Sequence, residues 1–346
     1  MPQSVSDLRE INEALKWLNK YWNKPVEPTY SSPQTLEEAV SILESYGKDA
    51  KIIAGGIDLL GLMKIKVLSP GVLVNIKGIS GLDAICERGG RLEIGALAVI
   101  HDIASSPLVR ESYPLLFDIA RSIASPQIRN MGTIGGNLCQ EVRCWYYRRA
   151  PETGITYQCR RKEGGRTCYA VNGENENHAI FGEAECFAAA PSDMASGLTA
   201  LDAEIRTTSG RGERVIPVRG LYTSLGNILE TDEIITGISI PKMKLKTRQR
   251  FLKFRPREAI DFSTVSVSSV VALDGDTMRD VKIVLGGVSP VPHEALKAEE
   301  MLRGQILTEN LAEKAAAAAV ADAMPLRKNG YKVPIVKTLV KRSLLE

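Results

Sequence analysis

The chain has 346 residues, of which 44% are hydrophobic and 25% are charged, and its net charge is +3. Length and composition fit a globular protein of two or three domains, and the charge is too small to indicate a nucleic-acid-binding protein. No run approaches the ~18 consecutive apolar residues of a membrane span. Residues 1–20 lack the apolar segment of a signal peptide, so the cytoplasm is the expected compartment.

The first part of the chain alternates helical and extended patterns. Apolar residues at helical spacing in 6–23, followed by Pro25 and Pro28, predict a helical N-terminal extension over residues 1–28. The next predicted elements are helices at 35–47, from about 58, at 102–105 and at 114–124, and strands at 51–54, 72–76 and 91–94. This mixture indicates a fold of helices with strands.

Residues 140–190 interrupt the pattern. They are rich in Arg, Glu, Gly and Asn, and their apolar residues are scattered, so no core is expected within them. A loop of this length needs a function or an internal cross-link. The charged stretch 246–262 marks the entry to a C-terminal domain. The predicted elements after the interruption are helices at 192–201, 295–303 and 310–323, and strands at 204–207, 215–217, 262–273 and 278–285.

Two glycine turns follow apolar stretches. Gly55 and Gly56 lie between a predicted strand and a predicted helix, where glycine permits close approach and backbone N–H groups can bind an anion. One such turn is more often a plain connection, and neither GxGxxG nor a Walker loop is present. The second turn, GTIGGN at 132–137, adds glycine amides, a Thr hydroxyl and an Asn amide. Together the turns could hold both ends of a diphosphate.

Five of the six cysteines fall within 48 residues, from Cys139 to Cys186. A chain of this size needs no disulfide scaffold, so the cluster indicates metal or redox chemistry. The last four of these cysteines are separated by 15, 9 and 18 residues, without a CxxC motif, and this spacing identifies no particular metal. A zinc site with four thiolates and, less favoured, disulfides are the alternatives. We assign Cys86 to the core, where free cysteines commonly lie, and interpret the three histidines, His101, His178 and His293, as structural or exposed.

Five segments occur in the order of a known family: AGGIDLLGLMK, GTIGGN, PSDMASGLTALDAE, DEIITGISIP and LKFRPREAIDFSTVSV. They resemble the FAD-binding medium subunits of the molybdenum hydroxylases, the carbon monoxide and xanthine dehydrogenase family, over about residues 29 to 342. The resemblance implies an α+β protein. A two-lobed FAD-binding domain of the vanillyl-alcohol-oxidase type would span 29–245, with an insert at 140–190, and a small α+β C-terminal domain would span 246–346.

The resemblance also implies the FAD-binding residues. Two loops would wrap the pyrophosphate, Asp193 would hydrogen-bond a cofactor hydroxyl, and Ile235 would pack on the isoalloxazine ring. Lys253 would approach the ring and stabilise reduced, anionic flavin. Without the resemblance, Asp193 is interpreted as a helix N-terminal carboxylate and Lys253 as a solvated strand lysine. The full implied set is Ile52, Ile53, Ala54, Gly55, Gly56, Ile57, Asp58, Leu59, Ile123, Thr133, Ile134, Gly135, Gly136, Asn137, Asp193, Ile235 and Lys253.

The insert is foreign to carbon monoxide and xanthine dehydrogenases. It resembles the corresponding loop of the β subunit of 4-hydroxybenzoyl-CoA reductase, through RCWYYRR, YQCRRK, RTCYAV and EAECFAAAPSD. In that subunit four cysteines hold a [4Fe–4S] cluster. The implied ligands here are Cys144, Cys159, Cys168 and Cys186, which leaves Cys139 as a packing or second-sphere residue. Basic neighbours would lower the thiol pKa values and offset the cluster's charge: Arg148, Arg149, Arg160, Arg161 and Lys162.

No molybdopterin signature, ferredoxin motif or catalytic triad is present, so we expect substrate chemistry on a partner chain. The resemblance implies an electron-transfer subunit that works with a large molybdenum-cofactor subunit and a small [2Fe–2S] subunit. A ferredoxin or another one-electron carrier would be the external partner, with no role for nucleic acid. The alternatives are the FAD subunit of a purine, nicotinate or aldehyde hydroxylase, and a non-catalytic scaffold that has lost flavin; the retained glycines argue against the scaffold.

Overall fold

The computed structural model describes residue 13 and residues 27–149, 157–182, 185–243 and 246–346. Apart from residue 13, the predicted helix over 6–23 lies outside these residues. Among the described residues, no helix is long and apolar enough to cross a membrane.

The first lobe is a three-stranded parallel sheet covered by a helix. Its strands are β1 (Thr29–Ser31), β2 (Ala50–Ile53) and β3 (Val72–Asn75), and its helices are α1 (Leu36–Tyr46) and α2 (Leu59–Lys64). The strand order is β1-β3-β2. Helix α1 begins where the Thr35 side chain accepts a hydrogen bond from Glu38 N, and it ends at Gly47, whose φ of 50° favours glycine. The apolar face of α1 packs on the sheet, and Ala54, at the start of the β2–α2 turn, packs against the same core.

The second lobe is a five-stranded antiparallel sheet covered by short helices. Its strands are β4 (Ile85–Arg88), β5 (Arg91–Gly95), β6 (Glu204–Ser209), β7 (Gly212–Pro217) and β10 (Ile234–Pro241), and a separate ribbon pairs β8 (Tyr222–Thr223) with β9 (Gly226–Asn227). The order is β4-β5-β10-β6-β7. The helices are α3 (Ile100–Ser105), α4 (Pro107–Ser112), α5 (Pro114–Ser122), α6 (Pro126–Arg129), α7 (Ile134–Leu138), α8 (Trp145–Arg148) and α9 (Asp193–Ala200). The largest hydrophobic core lies between this sheet and the helices α3, α4, α5, α7 and α9, whereas α8 lies in the insert and packs in a separate cluster.

The C-terminal region is a four-stranded antiparallel sheet with helices on one face. Its elements are β11 (Lys246–Phe254), β12 (Val265–Asp274), β13 (Thr277–Gly286), β14 (His293–Glu294), α10 (Leu296–Leu302), α11 (Glu309–Ala318) and α12 (Lys332–Leu345). The strand order follows the sequence. A second large core lies between the sheet and the three helices, and it also contains Ile180 and Phe181 of the insert.

Most predicted elements are confirmed within a few residues, but several strands and helices were not predicted. They include the edge strands β1 and β4, the central strand β10 of the five-stranded sheet, strand β11 and helix α12. Strand β11 was interpreted only as a charged entry segment, because it is an edge strand whose polar side chains reach solvent. Helix α12 was not predicted. Its Pro334 lies in the first turn, where the missing N–H breaks no helical hydrogen bond. The strand expected from residue 262 begins only at Val265.

The insert has an apolar cluster, so the expectation of a coreless loop was wrong. Tyr147 and Cys159 pack with Leu62 of α2 in this cluster. The insert is also tied to the C-terminal region, because Asn329 Nδ2 donates to the carbonyls of His178 and Ala179 at 3.1 and 2.9 Å. Tertiary contacts therefore supply the order that the local sequence does not predict.

The assignment of Cys86 to the core was also wrong. This residue lies on β4, at the edge of the five-stranded sheet, and it is half-buried. An edge strand is covered on fewer sides than a central one, so the side chain keeps contact with solvent.

Candidate functional site

The two glycine turns are in direct contact. A Cβ atom added to Gly55 would lie 1.9 Å from the Met131 carbonyl oxygen, so only glycine allows this approach. Gly56 has a φ of 71°, in the left-handed region that favours glycine. In the second turn, Thr133 Oγ1 accepts a hydrogen bond from Gly136 N at 3.1 Å and begins helix α7. The turns thus form one continuous wall.

This wall borders a cavity of about 630 Å³ between the lobes. The volume is within the range of sites for small molecules and cofactors. Of the seventeen predicted FAD-binding residues, sixteen line the cavity. The exception is Ile134, which is fully buried in the core of the second lobe. The sixteen are Ile52, Ile53, Ala54, Gly55, Gly56, Ile57, Asp58, Leu59, Ile123, Thr133, Gly135, Gly136, Asn137, Asp193, Ile235 and Lys253.

The cavity also exposes apolar side chains that the sequence interpretation missed. Phe262 and Ile260 are 45% and 51% exposed, and both line the cavity together with Ile57. Ile260 and Ala124 adopt positive φ angles of 66° and 43°, and Ile260 N donates to Ala124 O at 3.4 Å. Such strain costs about 1–3 kcal/mol per residue and occurs preferentially at ligand sites. The sequence feature that could have indicated these cavity residues is the apolar Phe262 at the end of the charged stretch 246–262.

A buried ion pair lies in the cavity wall. Lys253 Nζ is 2.8 Å from Asp193 Oδ2, and each side chain is only 7% exposed. Ser263 and Ser266 donate to Asp193 Oδ1 at 2.6 and 3.2 Å. Asp193 therefore accepts three of the approximately four hydrogen bonds that a carboxylate can take. Lys253 is not the solvated lysine of the alternative interpretation, because strand β11 faces α9 at this point.

We expect Asp193→Ala to lower the free energy of unfolding by about 3–5 kcal/mol, because it leaves the Lys253 ammonium buried without its counter-charge. Chemical denaturation of the flavin-free protein measures this change. The double variant Asp193→Ala/Lys253→Met should recover much of the loss. Asp322→Ala breaks the exposed pair with Lys297 and is the control, expected to have little effect. Equally small losses in the free energy of unfolding for Asp193→Ala and Asp322→Ala would contradict a stabilising buried ion pair.

Asp58 connects the first glycine turn to the insert. Its Oδ1 accepts from Arg148 Nη2 at 2.7 Å and from Arg143, and its Oδ2 accepts from Glu141 N at 2.7 Å. Burial raises the pKa of Asp58, but Arg143 and Arg148 outweigh burial and hold that pKa below its usual value. Arg143 also lies over the Phe262 ring, 4.6 Å from its centroid. The sequence predicts residue 58 only as part of a loop that wraps the pyrophosphate. Its side chain also holds the start of the insert at the cavity.

The four predicted cysteine ligands share a second, smaller cavity. Cys144, Cys159, Cys168 and Cys186 all line a space of about 20 Å³. Cys139 instead lines the large cavity. In the part of the chain that the structure describes, no group of three or more His, Cys, Asp or Glu side chains is arranged to hold a single metal ion. The fold therefore gathers the four thiols around one space, without the close geometry of a preformed ion site.

Local structure explains how Cys159 and Cys168 reach the same cavity. Lys162 N donates to Cys159 O at 2.8 Å, and Gly164 adopts a φ of 74°, which reverses the chain. A Cβ on Gly165 would lie 1.9 Å from Cys159 O, so the turn needs glycine there. The turn returns the backbone to Cys159 and brings Cys168 to the same cavity.

The thiol pKa values differ from the sequence-based expectation. Burial raises the pKa of Cys144 to about 11, and the neighbouring thiols of Cys186 and Cys159 raise it further. Burial also raises the pKa of Cys186, although Arg161 acts to lower it. The expected lowering by basic neighbours was wrong for these two residues. Desolvation outweighs Arg161 at Cys186, and at Cys144 it outweighs the hydrogen bonds from the backbone of Tyr146 and Tyr147. Metal binding at such thiols must release protons.

Polar groups contact the sulfurs of Cys186 and Cys144. Ala188 N donates to Cys186 Sγ at 3.4 Å, and Cys144 Sγ lies 3.3 Å from His178 Nε2. His178 is 3% exposed and lines the same cavity. Burial lowers its pKa to about 4. The interpretation of His178 as structural or exposed missed this contact, because the two residues lie 34 positions apart and share no motif.

Two known protein families match the chain. Residues 24–243 match the family of the FAD binding domain in molybdopterin dehydrogenase, and residues 250–346 match the CO dehydrogenase flavoprotein C-terminal domain. The chain is 32% identical to the aldehyde oxidoreductase FAD-binding subunit PaoB of Escherichia coli (strain K12), over 92% of this chain and 97% of that protein. It is 29% identical to the carbon monoxide dehydrogenase medium chain of Hydrogenophaga pseudoflava, over 91% and 95%.

Comparison of the fold with solved structures indicates the same family. A solved structure of carbon monoxide dehydrogenase from Hydrogenophaga pseudoflava, which lacks the Mo-pyranopterin moiety of the molybdenum cofactor, superposes with a TM-score of 0.74. It is 28% identical and covers 93% of this chain and 97% of that one. The predicted fold of an FAD-binding domain with a C-terminal domain is confirmed. The chain belongs to the FAD-binding medium subunits of the molybdenum hydroxylase family and is a subunit of an oxidoreductase.

Proposed function

We propose that this subunit transfers electrons through two centres, an FAD in the large cavity and a [4Fe–4S] cluster held by Cys144, Cys159, Cys168 and Cys186. The observation that carries the proposal is that these cysteines, spread over 43 residues, line one small cavity. The segment that begins this cavity is held to the wall of the large one by Asp58. Two redox groups at these places would be neighbours.

In the large cavity, the contacting glycine turns supply closely spaced backbone N–H groups for the diphosphate of FAD. Asp193 has about one hydrogen-bond acceptor position left for a cofactor hydroxyl. Asp193 also holds the Lys253 ammonium at the cavity wall, where it could stabilise a reduced, anionic flavin. FAD, when bound, exchanges electrons with both one-electron and two-electron partners.

In the small cavity, the donor set fits an iron–sulfur cluster. Four thiolates are the usual ligands of a cubane, and N–H groups near the sulfurs are a common means of stabilising it. Its present volume of about 20 Å³ is too small for a cubane, so the walls would have to move apart on binding. A single zinc ion needs less room, and this volume makes a four-thiolate zinc site the second candidate.

We further propose that the chain acts with a large molybdenum-cofactor subunit and a small [2Fe–2S] subunit, and with a ferredoxin-like one-electron carrier, as in 4-hydroxybenzoyl-CoA reductase. The extra cysteines support that resemblance. The alternative is the FAD subunit of a purine, nicotinate or aldehyde hydroxylase or dehydrogenase. Relatives named as the FAD-binding subunit of an aldehyde oxidoreductase and of a nicotinate dehydrogenase support it. The cytoplasm suits reduced thiols. We propose bounds of 1–28 for the N-terminal extension, 29–245 for the FAD-binding domain and 246–346 for the C-terminal domain. The division into two domains is supported by separate family matches over residues 24–243 and 250–346.

Anaerobically purified protein is expected to contain one FAD and about four irons and four acid-labile sulfides per chain. Acid extraction with chromatography identifies the flavin, and elemental analysis measures iron and zinc in the same sample. FAD with stoichiometric zinc and no iron would reject the cluster while leaving the flavin site intact. Protein that folds but binds no flavin would instead support the non-catalytic scaffold.

A further inference from the structure

Arg161 is a buried cation without an adequate partner among the described residues. Its side chain is 7% exposed, and its nearest carboxylate oxygen, Glu141 Oε2, lies 3.9 Å from Nη2. Its Nε and Nη1 atoms are buried and have no hydrogen-bond partner within the described parts of the chain. Burying an uncompensated charge costs several kcal/mol, so a guanidinium in this position calls for an anionic neighbour.

The position of Arg161 indicates which anion this is. Arg161 lines the same small cavity as the four cysteines, Cys144, Cys159, Cys168 and Cys186. The other charged side chains that line this cavity are Arg160 and Glu185. Glu185 is hydrogen-bonded to Ser224 at 2.8 Å. A cubane with four thiolate ligands carries a net negative charge. Of the charged side chains that line the cavity, only the arginines could balance it.

We propose that Arg161 is a positioning residue for the iron–sulfur cluster, whose guanidinium charge stabilises the reduced form and raises the reduction potential. This inference rests on the proposed cluster. Arginine suits the position because it keeps its charge when buried and offers several donors in a fixed plane. Hydrogen bonds to the sulfurs and nearby charge are two of the means by which proteins set cluster potentials. Removal of the charge should therefore make the cluster harder to reduce.

The test is a redox titration of the holoprotein, monitored by EPR of the reduced cluster, after iron analysis shows that the cluster is present. In Arg161→Gln, we expect the equilibrium constant for reduction to fall at least tenfold, which corresponds to a potential about 59 mV lower for one electron. Arg161→Lys keeps the positive charge, so its reduction potential should lie close to that of the unmodified protein. Arg166→Gln, in the same loop but exposed and outside the cavity wall, is the matched control and should leave the potential unchanged.

Each outcome distinguishes the two proposals. Absence of iron in the unmodified protein would defeat the cluster itself. With iron present, a potential of Arg161→Gln equal to that of Arg166→Gln would overturn the role of Arg161. Loss of the cluster in Arg161→Gln with retention in Arg161→Lys would support the need for charge. Loss in both variants, with retention in Arg166→Gln, would mean that Arg161 acts through packing alone and would also overturn the inference.

Discussion

Replacing Cys186 with serine is expected to reduce bound iron from about four atoms per chain to fewer than about one. Cys186 is buried and shares the small cavity with the other three cysteines. A hydroxyl is a poor iron ligand, so the cubane would lose one of its four attachments. Iron and sulfide analysis of anaerobically purified protein, with absorbance near 400 nm, measures the effect. Increased proteolysis of the insert should accompany the loss, because the cluster joins its segments.

Two further cysteines make this experiment selective. Cys86→Ser is the control, because that residue lies on the edge strand β4. Cys139→Ser decides the choice of ligand, since Cys139 is only five residues from Cys144 but lines the flavin cavity. Both variants should keep their iron. Iron loss in Cys139→Ser together with iron retention in Cys186→Ser would show that the ligand set is wrong.

The second large effect is expected from Gly55→Ala, which should weaken FAD binding between about fivefold and a hundredfold. The new methyl carbon would lie 1.9 Å from Met131 O, so the two glycine turns must move apart. Overpacking of this kind costs about 1–3 kcal/mol, and each 1.4 kcal/mol changes an equilibrium tenfold. Titration of flavin-free protein with FAD, followed by flavin fluorescence, measures the affinity. Gly220→Ala, which meets no atom within 4 Å, is the control.

A charge placed in the same turn tests the diphosphate separately. Gly56→Asp puts a carboxylate in the turn that we expect to face the pyrophosphate, and it should abolish FAD retention. Gly81→Asp is the control. Its backbone strain is matched, because φ is 71° at Gly56 and 81° at Gly81, and a Cβ on Gly81 would meet no atom within 4 Å. Full flavin content in Gly56→Asp would show that this turn does not hold the diphosphate.

Much of the flavin site could be predicted from the sequence. The first glycine turn is a local structure, in which Gly55 and Gly56 follow strand β2 and precede helix α2. The second is also local, since Thr133 begins α7 and Gly135 and Gly136 lie within it. Their order along the chain, together with the residues around Asp193 and Lys253, identified the family that the comparisons confirm. Whether Ile134 faces the cavity was not a local property. That residue turns into the core because the sheet of the second lobe covers its side of α7.

The insert shows the opposite case. Its sequence determined the types of ligand available, four cysteines among basic residues, but not their surroundings. Only the tertiary structure decided that Cys186 lines one cavity with the other three cysteines, and that His178 and Arg161 line the same cavity. It also decided that burial raises the pKa values of the Cys144 and Cys186 thiols. These contacts join residues far apart in the chain and depend on the packing of the insert against α2 and the C-terminal helices. Desolvation and charge pairing are properties of that packing, and no spacing in the sequence encodes them.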